Sequence, residues 1–254
     1  MRVSKVALKR GELVRTIYLT LGGNRKGTVL DFGFGEGGAV FAFQQIGCTV
    51  IAYDTSSKFI NLLRSNMQEL GCTNVFVTDT WHDLEKRYTG KIDFVIMSDV
   101  YEHLEEPEKE LARITAIMSP ESRLFIAVPN RLSLLLFFLG DPHFRCPFIN
   151  ILGKESLNFV TGKILKKNLP YYVSNAKTLF TLRRTLQKFG FHVTDITALY
   201  YQEKFNNVQA IENRKFRHFA RHRFLHGIIQ KHQIIRMLLV PYIVVIAQKY
   251  HKYG

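Results

Sequence analysis

The stretch Val29-Leu-Asp-Phe-Gly-Phe-Gly-Glu-Gly-Gly38 joins a short apolar strand to a glycine-rich turn. Glycines between a strand and a helix let a ligand approach the backbone and place amide groups at a helix N-terminus. Gly33, Gly35 and Gly38 also satisfy the G-x-G-x-x-G spacing of nicotinamide sites, so the glycines alone do not identify the ligand. Asp31 distinguishes between the possible ligands, because a carboxylate two positions before the turn would crowd the pyrophosphate of a nicotinamide cofactor. It suits a cationic ligand without phosphate.

Strands and helices alternate along most of the chain. Apolar runs predict strands at 27–31, 49–53, 74–78, 93–98, 123–128, 191–200 and 242–249. Helical spacing predicts helices at 5–21, 37–46, 56–70, 106–118 and 175–189, and one or two basic helices within 205–238. This alternation is typical of βαβ units, and the continuous apolar runs indicate strands of a parallel sheet that is covered on both faces.

Three aspartates follow successive predicted strands. Asp54 closes the second strand, 21 residues after Gly33, where an acidic side chain can reach ribose hydroxyls. Asp79 closes the third strand and can accept a hydrogen bond from an adenine amino group. Either residue alone would more often be a turn or cap residue. Together with Asp31 they predict one ligand site at the carboxyl edge of the sheet.

Charge is distributed unevenly between the two halves of the chain. Residues 1–130 hold 15 Lys/Arg against 16 Asp/Glu, whereas residues 131–254 hold 20 against 5. The basic half favours an anionic partner, which could be a phosphate-bearing substrate, nucleic acid or an acidic membrane surface. Within it, 214–236 interleaves basic and apolar side chains, a pattern that fits a membrane-surface helix, an RNA-binding helix or a helix packed on the sheet. A solvated basic face kept for solubility is the alternative.

The domain organisation follows from these patterns. We predict a single domain over 1–254, with a cofactor-binding half at 1–130, an acceptor-side insertion at 131–174 and a basic helical insertion at 201–241.

The three cysteines lack zinc-ligand spacing, and no apolar run is long enough to cross a bilayer. These features predict a cytoplasmic protein, with a peripheral position at the inner membrane surface as a further option. The apolar run 132–139 is interpreted as core packing, with contact to a lipid tail as the alternative.

The D-x-G-x-G-x-G motif at 31–37, the acid at 54 and the V-Y-E-H-L segment at 100–104 resemble class I S-adenosylmethionine-dependent methyltransferases. The resemblance is closest to the small-molecule branch that includes the ubiquinone-type O-methyltransferases. It covers 25–130 and resumes at 175–200. It implies a Rossmann-like, doubly wound α/β fold whose mostly parallel seven-stranded sheet ends in an antiparallel strand, and it implies S-adenosylmethionine as the cofactor.

The resemblance also implies roles by position. The first glycines would contact the amino-acid part of the cofactor, the acid after strand two its ribose, and the acid after strand three its adenine. Phe34 departs from the glycine or cysteine usual in the family. The candidate cofactor-binding residues are Asp31, Gly33, Gly35, Asp54, Thr55, Asp79, Thr80 and Ser98.

A second cluster follows the fourth strand. Asp99, Glu102 and His103 are spaced so that a helical turn would place them on one face, where they could hold a divalent ion. The same spacing resembles metal sites of ubiquinone-type enzymes and of small-RNA 3′-end 2′-O-methyltransferases, and His143 would supply the later histidine of the RNA enzymes. A metal-free role for His103 as a base is the preferred alternative. The candidate catalytic residues are therefore His103, Asp99, Glu102 and His143.

These observations predict methyl transfer to a hydroxyl or amine of a small acceptor, which could be lipid- or glycan-linked. An RNA methyltransferase of the 2′-O type and a non-catalytic cofactor-binding protein remain alternatives. A nicotinamide oxidoreductase is disfavoured by Asp31. The family resemblance implies that the acceptor pocket is formed by residues 129–145 and by Tyr171-Tyr172.

Overall fold

The computed structural model describes residues 3–139, 177–206 and 229–249, with the single residues 159 and 227. Its strands are β1 (Thr28–Phe32), β2 (Thr49–Tyr53), β3 (Val75–Thr78), β4 (Ile92–Ser98), β5 (Met118–Pro129), β6 (Phe191–Asp195) and β7 (Tyr242–Lys249). The helices are α1 (Lys5–Thr20), α2 (Gly38–Gln44), α3 (Ser57–Leu70), α4 (Trp81–Tyr88), α5 (Pro107–Ile117), α6 (Leu134–Leu139), α7 (Leu179–Lys188), α8 (Thr197–Asn206) and α9 (Gln233–Leu239). A short 3-10 helix spans Tyr101–His103.

The strands form one seven-stranded sheet in the order β3-β2-β1-β4-β5-β7-β6. β1 to β5 pair in parallel, and β7 is antiparallel to both of its neighbours, β5 and β6. This confirms the predicted Rossmann-like, doubly wound, mostly parallel sheet with an antiparallel last strand. The chain order reverses between β1 and β4, and ligands of open parallel sheets bind at the carboxyl ends of the strands beside such a reversal.

Two apolar cores cover the two faces of the sheet. One core joins α1, α2, α3 and α8 to the sheet, and the other joins α4, α5 and α7 to the opposite face. Successive residues of β5 alternate between the cores, as Phe125 belongs to the first and Leu124 and Ile126 to the second. This two-sided burial explains why the strands are continuously apolar in sequence.

Several predicted boundaries were wrong. β6 ends at Asp195 instead of continuing to Tyr200, because the Asp195 carboxylate accepts a hydrogen bond from the amide of Thr197 at 2.9 Å and the chain enters α8. α4 was not predicted, and β5 begins at Met118, five residues earlier than expected. The predicted strands 49–53 and 242–249 have the observed bounds.

The segments before α6 and after α9 are held together at the carboxyl end of β5. The Asn130 side-chain amide donates to the carbonyls of Met237 at 2.6 Å and Val240 at 2.9 Å. The Ser133 hydroxyl donates to the Leu239 carbonyl at 3.2 Å. α6 and α9, which are distant in sequence, therefore lie side by side at the edge of the sheet where ligands are expected.

Much of the basic half lies outside the described residues. This applies to most of the proposed insertion 131–174, including Tyr171-Tyr172, to much of 201–241 and to His143. Among the helices that the structure does describe, none is long and apolar enough to cross a membrane.

Candidate active site

The carboxyl ends of the first three strands of the sheet meet at one edge. Phe32 of β1 pairs with Tyr53 of β2, which pairs with Thr78 of β3. Backbone hydrogen bonds continue beyond the strands, from Gly33 N to Tyr53 O at 2.7 Å and from Asp54 N to Thr78 O at 3.4 Å. The polar residues that follow these strands are thereby brought to one rim.

The glycine turn is fixed by Asp54. One Asp54 carboxylate oxygen accepts from the Gly35 amide at 3.0 Å, and the other accepts from the Ser56 amide at 2.9 Å. Gly33 and Gly35 have φ angles of +76° and +53°, a region that favours glycine. A side chain at Gly35 would meet no atom within 4 Å, so this part of the turn borders open space in which a ligand can lie.

Asp31 is a buried acid beneath the turn. It is 5% exposed and accepts a hydrogen bond from the backbone amide of Val40, in the first turn of α2. Burial, and secondarily the negative charge of Asp54, raise the pKa of Asp31 to about 7. Within the described part of the chain neither acid has a cationic partner. A cationic ligand at the turn would stabilise both carboxylates.

The remaining cofactor candidates lie at the ends of β2, β3 and β4. Thr55 and Asp79 are exposed, and Ser98 is half-buried as the last residue of β4. Thr80 precedes α4, and its hydroxyl donates to the Asp83 carboxylate at 2.8 Å, so this hydroxyl already has a structural partner. Polar side chains thus follow the carboxyl ends of these strands along one rim.

An aromatic cluster lies beside this rim. The rings of Phe32 and Tyr53 stack with centroids 5.1 Å apart, and the Trp81 ring meets Tyr53 edge-on at 5.7 Å. All three residues belong to the core on the α4 side of the sheet. They give the strand ends a rigid base, because each ring is packed against another.

The second predicted cluster has a different geometry from the one expected. Asp99 precedes the 3-10 helix with a φ of +57° and forms an ion pair with Arg10 of α1. The expectation that Asp99, Glu102 and His103 share one helical turn was wrong, because only the last two belong to the short helix. Glu102 is fully buried, and its Oε1 lies 4.0 Å from Nε2 of the half-buried His103.

The metal interpretation gains no support from this arrangement. Within the residues that the structure covers, no three His, Cys, Asp or Glu side chains come close enough to hold a metal ion. His143, the fourth member of the predicted catalytic set, lies outside the described residues. The RNA methyltransferase alternative, which depended on this set, stays a prediction.

Sequence reasoning missed a group of residues at the β5–β7 side of the rim. Tyr242 begins β7 opposite Pro129, and the charges of Arg10 and Glu102 both act on its hydroxyl. Burial raises the pKa of Tyr242 well above its usual value. Lys204 of α8 lies near the Tyr242 ring, with Nζ 5.5 Å from the ring centroid. No local signal could have revealed these contacts, because each joins segments that are distant in sequence.

Comparison with known proteins gives the family. Residues 7–196 match the family model described as a methyltransferase domain. A ubiquinone biosynthesis O-methyltransferase of Haemophilus ducreyi is 28% identical over 107 residues, which are 41% of this chain and 45% of that protein. The corresponding Caulobacter vibrioides enzyme is 29% identical over 104 residues, 41% of each chain. The matched region thus spans less than half the length of these relatives.

Solved structures share the fold. The YcgJ protein of Bacillus superposes with a TM-score of 0.58 at 14% identity and covers 95% of this chain and 99% of that one. A phosphoethanolamine N-methyltransferase 2 of Haemonchus contortus, solved with S-adenosylhomocysteine, gives 0.55 at 19% identity, with 94% of this chain and 52% of that one covered. The solved structures show the shared fold, and the family match over residues 7–196 shows that the chain belongs to the class I S-adenosylmethionine-dependent methyltransferases.

Proposed function

We propose that the protein transfers a methyl group from S-adenosylmethionine to a hydroxyl or amine of a small-molecule acceptor. The observation that carries this proposal is the hydrogen bond between the Gly35 amide and Asp54, beside open space at Gly35 and beside the buried Asp31, which has no cationic partner in the described part of the chain. A cofactor with a sulfonium and an ammonium group, and without phosphate, matches this charge pattern. By position, Asp54 would hold the ribose and Asp79 the adenine.

The protein's own contribution to such a reaction is mainly positioning. The cofactor supplies an activated methyl group, so the chain must orient the acceptor, exclude water and accept a proton where the acceptor carries one. His103 is the candidate base, because it is half-buried beside the rim and its Nε2 lies near the buried Glu102 carboxylate. Glu102 would orient the imidazole ring.

Calorimetric titration tests the cofactor assignment. We expect S-adenosylmethionine to bind and NAD to give no heat of binding. Binding of NAD without binding of S-adenosylmethionine would overturn the proposed function. The acceptor-side assignment is tested by His103→Gln, which should leave cofactor affinity unchanged and reduce turnover of any hydroxyl acceptor by about 10²-fold or more.

We further propose that the acceptor is lipid- or glycan-linked and is met at an anionic membrane surface. α6 and α9 present an exposed apolar surface, formed by Leu132, Leu134, Phe138, Ile234, Ile235 and Leu238. Phe138 is 62% exposed and Ile234 is 76% exposed, and the exposed cations Arg131 and Lys231 adjoin the two helices. Apolar side chains beside basic ones favour binding to anionic lipid headgroups.

Vesicle sedimentation tests this surface. We expect the protein to sediment with phosphatidylglycerol-containing vesicles and much less with pure phosphatidylcholine. Phe138→Asp and Ile234→Asp should each weaken binding. Leu70→Asp is the matched control, because Leu70 is 49% exposed at the end of α3, which leads into the start of β3 at the amino edge of the sheet, away from α6 and α9. Equal binding by all three variants would overturn the proposed surface.

A further inference from the structure

Lys204 is a buried cation inside a cluster of tyrosines. It is 8% exposed, and its Nζ lies 5.1, 6.0 and 5.5 Å from the ring centroids of Tyr200, Tyr201 and Tyr242. Nζ also donates to the Tyr200 hydroxyl at 3.3 Å. We call these four residues the lysine–tyrosine cluster.

The charge of Lys204 has no acidic partner among the residues that the structure describes. Removing a cation from water is unfavourable, and buried charges are therefore usually paired. Contacts with aromatic faces offset only part of that desolvation cost. A buried lysine that has no acidic partner within the described ranges is suited to hold an anion that a ligand supplies.

The lysine–tyrosine cluster lies on the acceptor side of the rim. Tyr242 is opposite Pro129 at the carboxyl end of β5, and its backbone amide donates to the Tyr201 hydroxyl at 3.0 Å. Arg10 and Glu102 lie close enough to Tyr242 for their charges to affect the pKa of its hydroxyl. The lysine–tyrosine cluster therefore adjoins the residues around Asp99 and His103, which contact Arg10 and Glu102. Arg10 is already paired with Asp99, whereas Lys204 has no acidic partner among the described residues.

We propose that Lys204 binds an anionic group, a carboxylate or a phosphate, of the methyl acceptor. The Tyr200 hydroxyl, which accepts from Lys204, can donate its own proton to the same anion. This inference rests on the proposed function and adds the charge of the acceptor. The competing explanation is a purely structural cation held by the tyrosine rings.

Binding of simple anions tests the proposal. Inorganic phosphate and acetate are titrated separately, at low ionic strength, into protein saturated with S-adenosylhomocysteine. We expect at least one to bind to the wild type, and the preferred anion then distinguishes phosphate from carboxylate. Lys204→Met should weaken that binding by about tenfold or more, since a hydrogen bond to a charged group is worth about 1.5–3 kcal/mol. Lys204→Arg should retain part of it.

The control is Lys188→Met, because Lys188 is an exposed lysine at the end of α7 on the opposite face of the sheet. It should leave anion binding unchanged. Failure of both anions to bind the wild type, or equal affinity in Lys204→Met, would overturn the proposal. A lower melting temperature in Lys204→Met with unchanged anion affinity would assign the lysine a structural role. Binding of S-adenosylhomocysteine in the same samples tests the cofactor site separately.

Discussion

The two ends of the site carry unpaired charges of opposite sign. At the ends of β1 and β2, Asp31 and Asp54 have no cationic partner in the described part of the chain. Beside β5 and β7, Lys204 likewise has no acidic one. A chain that had only to be stable would pair or remove such groups. This difference supports the two proposals made above, that a cationic ligand binds at the acid end and that an anion binds at the lysine–tyrosine cluster.

The basic half of the chain also contains a buried ion pair, with which the buried Lys204 can be compared. Arg236 of α9 and Asp195 lie 3.4 Å apart, and both side chains are about nine-tenths buried. Arg236→Met should lower the free energy of unfolding by about 3–5 kcal/mol, because it leaves Asp195 buried without its partner. Urea unfolding measures this loss.

Lys188→Met provides the surface control for that loss. Lys188 lies 3.7 Å from Glu108, and both side chains are about three-fifths exposed. Its removal should cost less than about 1 kcal/mol, since exposed pairs are screened by water. Lys204→Met should cause no loss or a gain in stability. A loss in Lys204→Met as large as that in Arg236→Met would break the distinction between ligand-binding and structural charges.

Substitutions in the glycine turn should have the next largest effect on stability. Gly33 and Gly71 both have positive φ, but a side chain at Gly33 would lie 2.6 Å from Val100, whereas at Gly71 it would meet nothing within 4 Å. Both alanine variants should be strained, and Gly33→Ala should be less stable than Gly71→Ala by a further 1–3 kcal/mol, roughly the cost of overpacking. Equal melting temperatures would show that Val100 does not confine the turn.

Asp31 makes the acid end sensitive to pH. Its pKa in the folded protein is about 7, above its usual value, so the folded state holds this proton more tightly than the unfolded chain. The contribution of Asp31 to stability is therefore fully present below its usual pKa of 3.8 and is lost as the pH rises from there to about 7. In the absence of cofactor, Asp31→Asn should melt higher than the wild type at pH 8, and the gap should narrow steadily as the pH falls below 7.

A constant difference in melting temperature across that range would contradict the assignment of the raised pKa to Asp31. Saturation with S-adenosylmethionine should also reduce the pH dependence of the wild type, because a bound cation favours the ionised carboxylate.

Local sequence was sufficient to predict the strands of the sheet and the position of the acidic residues that follow β1, β2 and β3. Apolar runs located the strands, and the positions of Gly33, Asp54 and Asp79 after successive strands placed these residues at one rim, because parallel strands align their carboxyl ends. The antiparallel last strand came from the family resemblance. The error at β6 arose because residues 191–200 are apolar enough for a strand, while one side-chain hydrogen bond at Asp195 starts a helix.

The acceptor end could not be predicted in the same way. The contacts of Arg10 with Asp99 and of Lys204 with Tyr242 depend on how α1 and α8 pack on the sheet. From the sequence alone, Lys204 would be predicted to be an exposed residue of a basic segment. Only its burial and the position of Tyr242 opposite Pro129 identify it as part of the rim.

The most direct test is a crossed titration of Asp54→Ala and Lys204→Met with S-adenosylmethionine and with the anion that the wild type binds. Asp54→Ala should weaken cofactor binding more than tenfold, as expected for loss of a charged hydrogen bond, and leave anion affinity unchanged. Lys204→Met should do the reverse. If Asp54→Ala binds the cofactor as tightly as the wild type, or if both variants lose both ligands equally, the division of the site into two oppositely charged ends is wrong.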